Sequence, residues 1–337
     1  MPGNERLEAH GLGPVPTVFA SGGRGTDQVQ YAVASGTAYI RLNRPRALNA
    51  LTREMVEDMC AQLDLWEGDR AVDAVVLDGA GERGLCAGGD VLAVRDLIHA
   101  GDHEAALEFW VREYALDLRL ATYPKPVTTI MTGYVMGGGL GISAHARHRR
   151  IAAGSILAMP ETAIGFFPDV GMTYLLARAP GELGTYAALT GATFTAADAL
   201  VMGLADRYHE TPPDAGRAPL AAARGWIDAC FAGTDAGVIV QRLAGHPDPG
   251  ARSCAAVLRE RSPLAVCVSL ERIRRAARES DLGESLDVDA RVARGMLAAG
   301  DFVEGVRAKL VDRDNAPRWR HARIEQVPRD EVEAVFG

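Results

Sequence analysis

Several kinds of chemistry are short of material in this chain. Its five cysteines (Cys60, Cys86, Cys230, Cys254 and Cys267) are an odd number, widely spaced, with no CxxC pair. Neither a disulfide scaffold nor a zinc module is expected from them, and a reducing compartment suits them better. The eight histidines are scattered. His145 and His148 stand one helical turn apart with no further ligand-type residue nearby in sequence, and read as a solvated or capping pair rather than a metal site. No stretch approaches the roughly eighteen consecutive apolar residues that a membrane helix needs. Basic residues are outnumbered, 36 Lys and Arg against 44 Asp and Glu, for a net charge of −8. That balance argues against nucleic acid or an anionic membrane as the main partner, since both reward a basic face. Residues 1–27 carry Glu5, Glu8 and Asp27 but neither the apolar run of a secretory signal nor the basic, acid-poor character of a mitochondrial presequence. The expectation is a disordered leader on a cytoplasmic protein.

What is present belongs to a globular protein. Of the 337 residues 48% are hydrophobic and 24% charged, enough to bury a sizeable core. Ordered structure is expected from Val29, with strands over 29–33 and 37–42 around the turn dipeptide Ser35-Gly36. Thr52 is a good N-cap for a helix over 52–66, where Met55, Met59 and Leu63 recur at helical spacing. The apolar run 72–77 reads as a strand buried on both faces. A glycine-punctuated loop and a helix through Ile98 follow. The pattern then recurs: a β-branched strand over 126–131, the glycines 137–139, and a helix through Ala146. Two units of strand, glycine turn and helix predict a parallel or spiral α/β core. From about residue 181 the pattern turns mainly helical. Ser262 and Pro263 form a cap and first-turn pair, followed by Val266, Leu270, Ile273 and Ala277 at helical spacing. Arg272, Arg275 and Arg278 fall on the other faces of that helix. The expected organisation is a leader over 1–27, a core over 28–210 and a helical region over 211–337, with 211–216 as linker.

Two familiar motifs fail. The glycine run 79–84 is followed by Leu85, not Lys, so it is no Walker loop. Ser143 lacks the second glycine of a nucleophile elbow and reads as a packing residue. Two glycine turns and a carboxylate pair survive: Ala87, Gly88, Gly89 and Asp90; Gly137, Gly138 and Gly139; and Glu161 with Asp169 in the run 159–171 (MPETAIGFFPDVG). Glycine at a helix start lets a carbonyl approach backbone N–H groups, and two such groups converging on one oxygen form an oxyanion hole. The same glycines would equally serve close helix packing. Pro160 suits a first helical position and Glu161 the first turn, where it complements the dipole. Asp169 would serve as an N-cap for an apolar helix over 170–177. Both acids nevertheless lie among Ile164, Phe166, Phe167 and Val170, and carboxylates in apolar surroundings suit acid, base or nucleophile roles.

Together these residues resemble the crotonase (enoyl-CoA hydratase/isomerase) superfamily, whose members bind acyl-CoA thioesters. The resemblance runs from about Val33 to the C-terminus. It implies an α/β fold, a crotonase-like ββα spiral core with a helical C-terminal region. The run from Asn43 to Leu51 (NRPRALNAL) resembles the first CoA-contacting loop, implying CoA contacts from Arg44, Arg46 and Leu48, with Ala87 and Asp90. The glycine turns resemble the two oxyanion segments, implying Gly89 and Gly138 as donors. Hydratases of the superfamily usually carry a second catalytic glutamate three residues after the middle glycine of the triplet; here that position is Gly141. The runs 159–171, Arg112-Glu113-Tyr114 and 301–319 (DFVEGVRAKLVDRDNAPRW) are instead similar to the 3-hydroxyisobutyryl-CoA hydrolase branch, which acts in valine breakdown. That likeness implies Glu161 and Asp169 as catalytic residues and Glu113, Gly137 and Pro160 as substrate contacts. Met172 departs from the pattern, standing where relatives commonly have glycine, and leaves the exact acyl group open. No metal or redox cofactor is implied, CoA being part of the substrate, and a homo-oligomer through the C-terminal helices is compatible with the family. A hydratase or isomerase of the same superfamily, and a non-catalytic acyl-CoA-binding protein, remain the alternatives.

Overall fold

The computed structural model describes residues 16–22, 26–210 and 218–337. Packing gathers the described residues into two units: those up to Asp90 with Arg112–Leu157 and 195–210, and Val91–Val111 with Ala158–Phe194 and Ala218–Gly337. The division is more interleaved than a single cut near residue 211, because breaks in composition mark connections, not which segments pack together. The expected linker over 211–216 lies outside the described residues.

The first unit is built on a seven-stranded sheet. Ala20–Ser21, Val29–Ala34, Thr37–Leu42, Ala74–Gly79, Val127–Met131, His148–Ile151 and Arg207–Tyr208 lie side by side in that order. The first three pair antiparallel and the rest parallel. Ser35 at φ 49° and Gly36 at φ 77° make the hairpin turn, a pair of left-handed residues whose twist matches the flanking strands. The apolar run expected to start a strand at Val72 starts it at Ala74, since Asp73 is tied into the turn by its N–H to the Gly36 carbonyl. The leader expectation fails at Ala20 and Ser21, which pair with Tyr31 and Gln30. Phe19 anchors them, edge-on to Tyr39 and under the Arg41 guanidinium, so a short apolar foothold outweighs the surrounding glycines. The helix Arg53–Glu67 starts as expected, with Thr52 Oγ1 accepting from the Met55 N–H and Met55, Met59 and Leu63 buried.

The second unit is mainly helical. Its helices include Val91–His99, Pro219–Phe231, Ala236–Gly245, Pro249–Glu260, Pro263–Ala276, Leu282–Ala299 and Asp301–Val306. Ser262 caps Pro263–Ala276 by accepting from the Ala265 N–H, and Val266, Leu270 and Ile273 are buried as expected. Arg272 is buried too. The helix is enclosed on more than its apolar stripe, so a face that sequence spacing leaves polar is interior here. Trp110 stacks on Phe166 at 4.7 Å and meets Phe302 edge-on, forming an aromatic nucleus beneath the turn that carries Glu161. Among the described residues no helix is long and apolar enough to cross a membrane.

Candidate active site

In the first unit, three loops are laced together by main-chain hydrogen bonds. The segment around Gly84 to Cys86 bridges to Gly133 and Val135, and the Met136 N–H donates to the Cys86 carbonyl. On the other side Leu51 bridges to Gly89. In that bridge the Leu51 N–H goes to the Gly88 carbonyl and the Asp90 N–H to the Leu51 carbonyl, which leaves the N–H of Gly89 itself unused. Gly138 opens the helix Gly138–Ala144, and N–H groups in a first helical turn have no intrahelical acceptor. Among the described residues neither N–H donates a backbone hydrogen bond. A Cβ on Gly138 would collide with Glu113 Oε1 and stand 3.3 Å from the Gly89 nitrogen. The Gly138 α-carbon therefore lies close to both the Gly89 nitrogen and the buried Glu113 carboxylate.

The loop from Asn43 to Leu51 is held to this segment by a side chain that carries no motif signal in the sequence. Asn49 is fully buried. Its Nδ2 donates to the carbonyls of Ala80, Gly84 and Leu85, and its Oδ1 accepts from the Arg44 N–H. Arg44 reaches the Ala50 carbonyl and Asp90 Oδ2, and the Leu48 carbonyl accepts from the Ala87 N–H. Arg44, Leu48, Ala87 and Asp90 are thus brought to one loop cluster beside Gly89, while Arg46 is exposed in the turn Pro45–Ala47. Ser143 Oγ donates to the Gly139 carbonyl, a packing role as expected. Among the described residues no group of three or more His, Cys, Asp and Glu is placed to hold a metal ion.

The acids lie in the second unit. Pro160 precedes a single 3₁₀ turn, Glu161–Ile164, closed by Gly165 in the left-handed region. The Phe166 N–H donates back to the Glu161 carbonyl, and the Ser262 N–H donates to the Thr162 carbonyl. Cβ atoms on Gly165 and Gly305 would run into the backbones of Asp301 and Ile164 respectively. The turn and the helix Asp301–Val306 therefore touch main chain to main chain. Asp301 is held in turn by Ser262 Oγ at 2.6 Å and the Arg320 N–H. Glu161 and Asp169 are both buried, at 8% and 5% exposure.

Asp169 is not the N-cap its position suggests. Its carbonyl accepts from the Met172 N–H at 2.9 Å, closing a tight turn through Val170 at φ 51° and Gly171 at φ 68°. Gly171 is the cap of the short helix Met172–Leu176, and its N–H donates to Asp289 Oδ2 at 2.8 Å. Asp289 Oδ1 accepts from Arg272 Nε at 2.7 Å. Arg272 also binds Glu279 and Ser285. Burial pulls the Arg272 guanidinium down, and the carboxylates of Asp289 and Glu279 more than reverse it, so the cation is held charged. Neither Arg272 nor Asp289 stands out in the sequence. The one usable signal was an arginine between Leu270 and Ile273 on a helix with apolar residues on several sides.

The enoyl-CoA hydratase/isomerase family model matches residues 37–212 and 207–336. The chain is 33% identical over 334 residues to the mitochondrial 3-hydroxyisobutyryl-CoA hydrolase of Gallus gallus, covering 89% of this chain and 86% of that protein. It is 34% identical over 347 residues to 3-hydroxyisobutyryl-CoA hydrolase 1 of Arabidopsis thaliana, covering 92% and 91%. Among solved structures, a carnitinyl-CoA dehydratase from Mycobacterium thermoresistibile is 44% identical with a TM-score of 0.88, over 93% of this chain and 97% of that one. An enoyl-CoA hydratase from Rhodobacter sphaeroides 2.4.1 is 39% identical with a TM-score of 0.86, over 92% and 97%. The α/β fold expected from the sequence is thus the fold of these neighbours. The cytoplasmic expectation is corrected, since the chicken, zebrafish and human relatives are named as mitochondrial. Unpaired cysteines restrict redox chemistry without distinguishing one reducing compartment from another.

Proposed function

The chain belongs to the enoyl-CoA hydratase/isomerase family, and from that premise we propose that it hydrolyses a short 3-hydroxyacyl-CoA thioester, 3-hydroxyisobutyryl-CoA above all, to the hydroxy acid and CoA. The observation that carries this reading is at position 141. The helix Gly138–Ala144 contains no ionisable side chain, and Gly141 is buried within it. The second acid–base group that hydratases of the superfamily use is therefore missing, while a pair of amides and two buried acids remain. The 3-hydroxyisobutyryl-CoA hydrolase relatives support the same choice.

In this reading the thioester oxygen is taken by the N–H groups of Gly89 and Gly138, which stabilise the charge of the tetrahedral intermediate; one such donor is typically worth ~3 kcal/mol. Glu161 either attacks the carbonyl, giving an anhydride that water then opens, or activates water for direct attack. On both routes the carbon–sulfur bond breaks and the CoA thiolate takes up a proton; in direct attack water supplies the new acid oxygen, whereas in the anhydride route a Glu161 oxygen leaves with the product and water, attacking the glutamyl carbonyl, replaces it on Glu161. Asp169 orients the substrate hydroxyl or the water. Glu113, with Gly137 and Pro160, lines the acyl end. Arg46 takes the CoA phosphates, with Arg44, Leu48, Ala87 and Asp90 forming the wall of that subsite. CoA is substrate, and the chemistry calls for no further cofactor.

The test is thiol release from 3-hydroxyisobutyryl-CoA by the wild type, E161Q and D169N. Glu161→Gln should lower kcat by about a thousandfold or more, the scale of losing a nucleophile or base, with D169N less affected. Single turnover in labelled water separates the two routes: label in the Glu161 carboxylate marks the anhydride. The hydratase reading draws on the structural neighbours at 44% and 39% identity. Water addition to an enoyl-CoA without thiol release would replace the hydrolase assignment with that one.

A further inference from the structure

The turn that carries Asp169 is strained and is braced from outside. Val170 at φ 51° and Gly171 at φ 68° occupy consecutive left-handed positions. Glycine takes such a conformation freely, but a β-branched residue in it is a true outlier that surrounding structure must enforce. Besides the Met172 N–H to Asp169 carbonyl bond that closes the turn, a side-chain brace reaches it from the helices Pro263–Ala276 and Leu282–Ala299. Asp289, with no solvent exposure, divides its two oxygens between the Gly171 N–H and Arg272 Nε. Arg272, equally buried, is fixed by Glu279 Oε1 at 2.7 Å, the Ser285 carbonyl at 2.9 Å and Ser285 Oγ at 2.6 Å. A cation with this many partners cannot swing, so the Asp289 carboxylate has one orientation and the Gly171 amide one place to point.

The geometry points to Arg272 and Asp289 as positioning residues for Asp169: the buried ion pair holds the Val170–Gly171 turn in its strained form and so sets the direction of the Asp169 carboxylate. This rests on the role given to Asp169 above. A pair serving only fold stability would need no bond to the one amide next to the strained valine. It would also gain little over apolar residues of the same volume, since burying two charges costs about what their attraction returns.

The test is Asp289→Asn, which keeps the shape of the side chain and removes its charge. D289N should lower kcat for thioester hydrolysis ten- to a hundredfold with KM within twofold of wild type. The loss should vanish in the D169N background, because a group acting through Asp169 has nothing left to act on. In the V170G background, where the turn is no longer strained, the D289N loss should shrink at least fivefold. A kcat within twofold of wild type, or a loss that multiplies with that of D169N, would overturn the proposal. If D289N does not fold but V170G/D289N does, the brace serves the turn as proposed; if both are unfolded, the pair serves the core and the proposal falls. Amide exchange of residues 169–172 reports on the brace without any assay. If the wild type releases no thiol, the functional reading fails, while faster exchange at Gly171 and Met172 in D289N would still uphold the brace, and unchanged exchange would refute it.

Discussion

The amide segment of the first unit and the acid turns of the second hold their groups by opposite means. Gly89 and Gly138 are set by main-chain ladders: Leu51 against Gly89, Cys86 against Val135, and the first turn of a helix. Their donors are backbone atoms, and at these two positions the demand on the side chain is that there be none in the way. Glu161 and Asp169 are side chains, and their turns are held by partners far along the chain. The bond from Gly171 to Asp289 spans 118 residues, and the Thr162 carbonyl is met by Ser262. A site made of backbone writes itself locally, as glycine. A site made of side chains depends on distant residues that carry no mark of the task.

That contrast can be broken at its strongest point by Gly138→Ala. The new methyl collides with Glu113 Oε1 and displaces the amide, so kcat should fall about a hundredfold, the cost of one oxyanion donor, with KM for the CoA ester little changed. Steady-state kinetics with both parameters resolved decides it, and a loss confined to KM would remove Gly138 from the oxyanion site. Asn49→Ala sharpens the contrast, because Asn49 is a side chain on which the amide segment relies. Two buried carbonyls, of Gly84 and Leu85, and the partly buried one of Ala80 lose their shared donor, and stability should drop by about 2–4 kcal/mol, as for buried polar groups left unpaired. Urea unfolding measures the drop. The smallest effect is expected at Arg149–Asp206, a partly exposed pair set against the buried Arg272–Asp289. Burial alone would raise the Asp206 carboxyl, but the hydrogen bonds from the Arg149 side chain and N–H bring it below its ordinary value. A depressed folded-state pKa stabilises above the unfolded value, near pH 4, and that contribution is lost as pH falls through the folded pKa. With side-chain exposures of 19% and 40% the pair should contribute under about 1 kcal/mol. D206N should therefore destabilise slightly at pH 7, and that difference should shrink as pH falls through the depressed folded-state pKa, by thermal melts at a series of acid pH values.

Legibility in the sequence followed the same division. Ser35-Gly36, Thr52 and Ser262-Pro263 announce a turn and two helix starts because their chemistry is local, and each forms where expected. The glycine turns could be read because close approach excludes every other residue. Asp169 was legible as a buried acid but not in its geometry: an N-cap reading follows from residue type, whereas a valine at positive φ leaves no trace in the sequence. Arg272 was assigned away from the apolar stripe because arginine defaults to solvent, and only its burial among Asp289, Glu279 and Ser285 reverses that. Asn49 carries no signal of its own inside a loop whose arginines are its conspicuous residues. Ala20 and Ser21 were lost among glycines, since two residues of pairing carry no periodicity.

The backbone-to-backbone seat of Glu161's turn on the helix Asp301–Val306 carries a consequence for how the molecule is made. Gly165 and Gly305 allow that seat, and both surfaces must exist before it can close. As the polypeptide emerges during synthesis, the amides of Gly89 and Gly138 can find their lattice early. The Glu161 turn acquires its floor only after Gly305 has been added, so it is completed later than the glycine segments of the first unit.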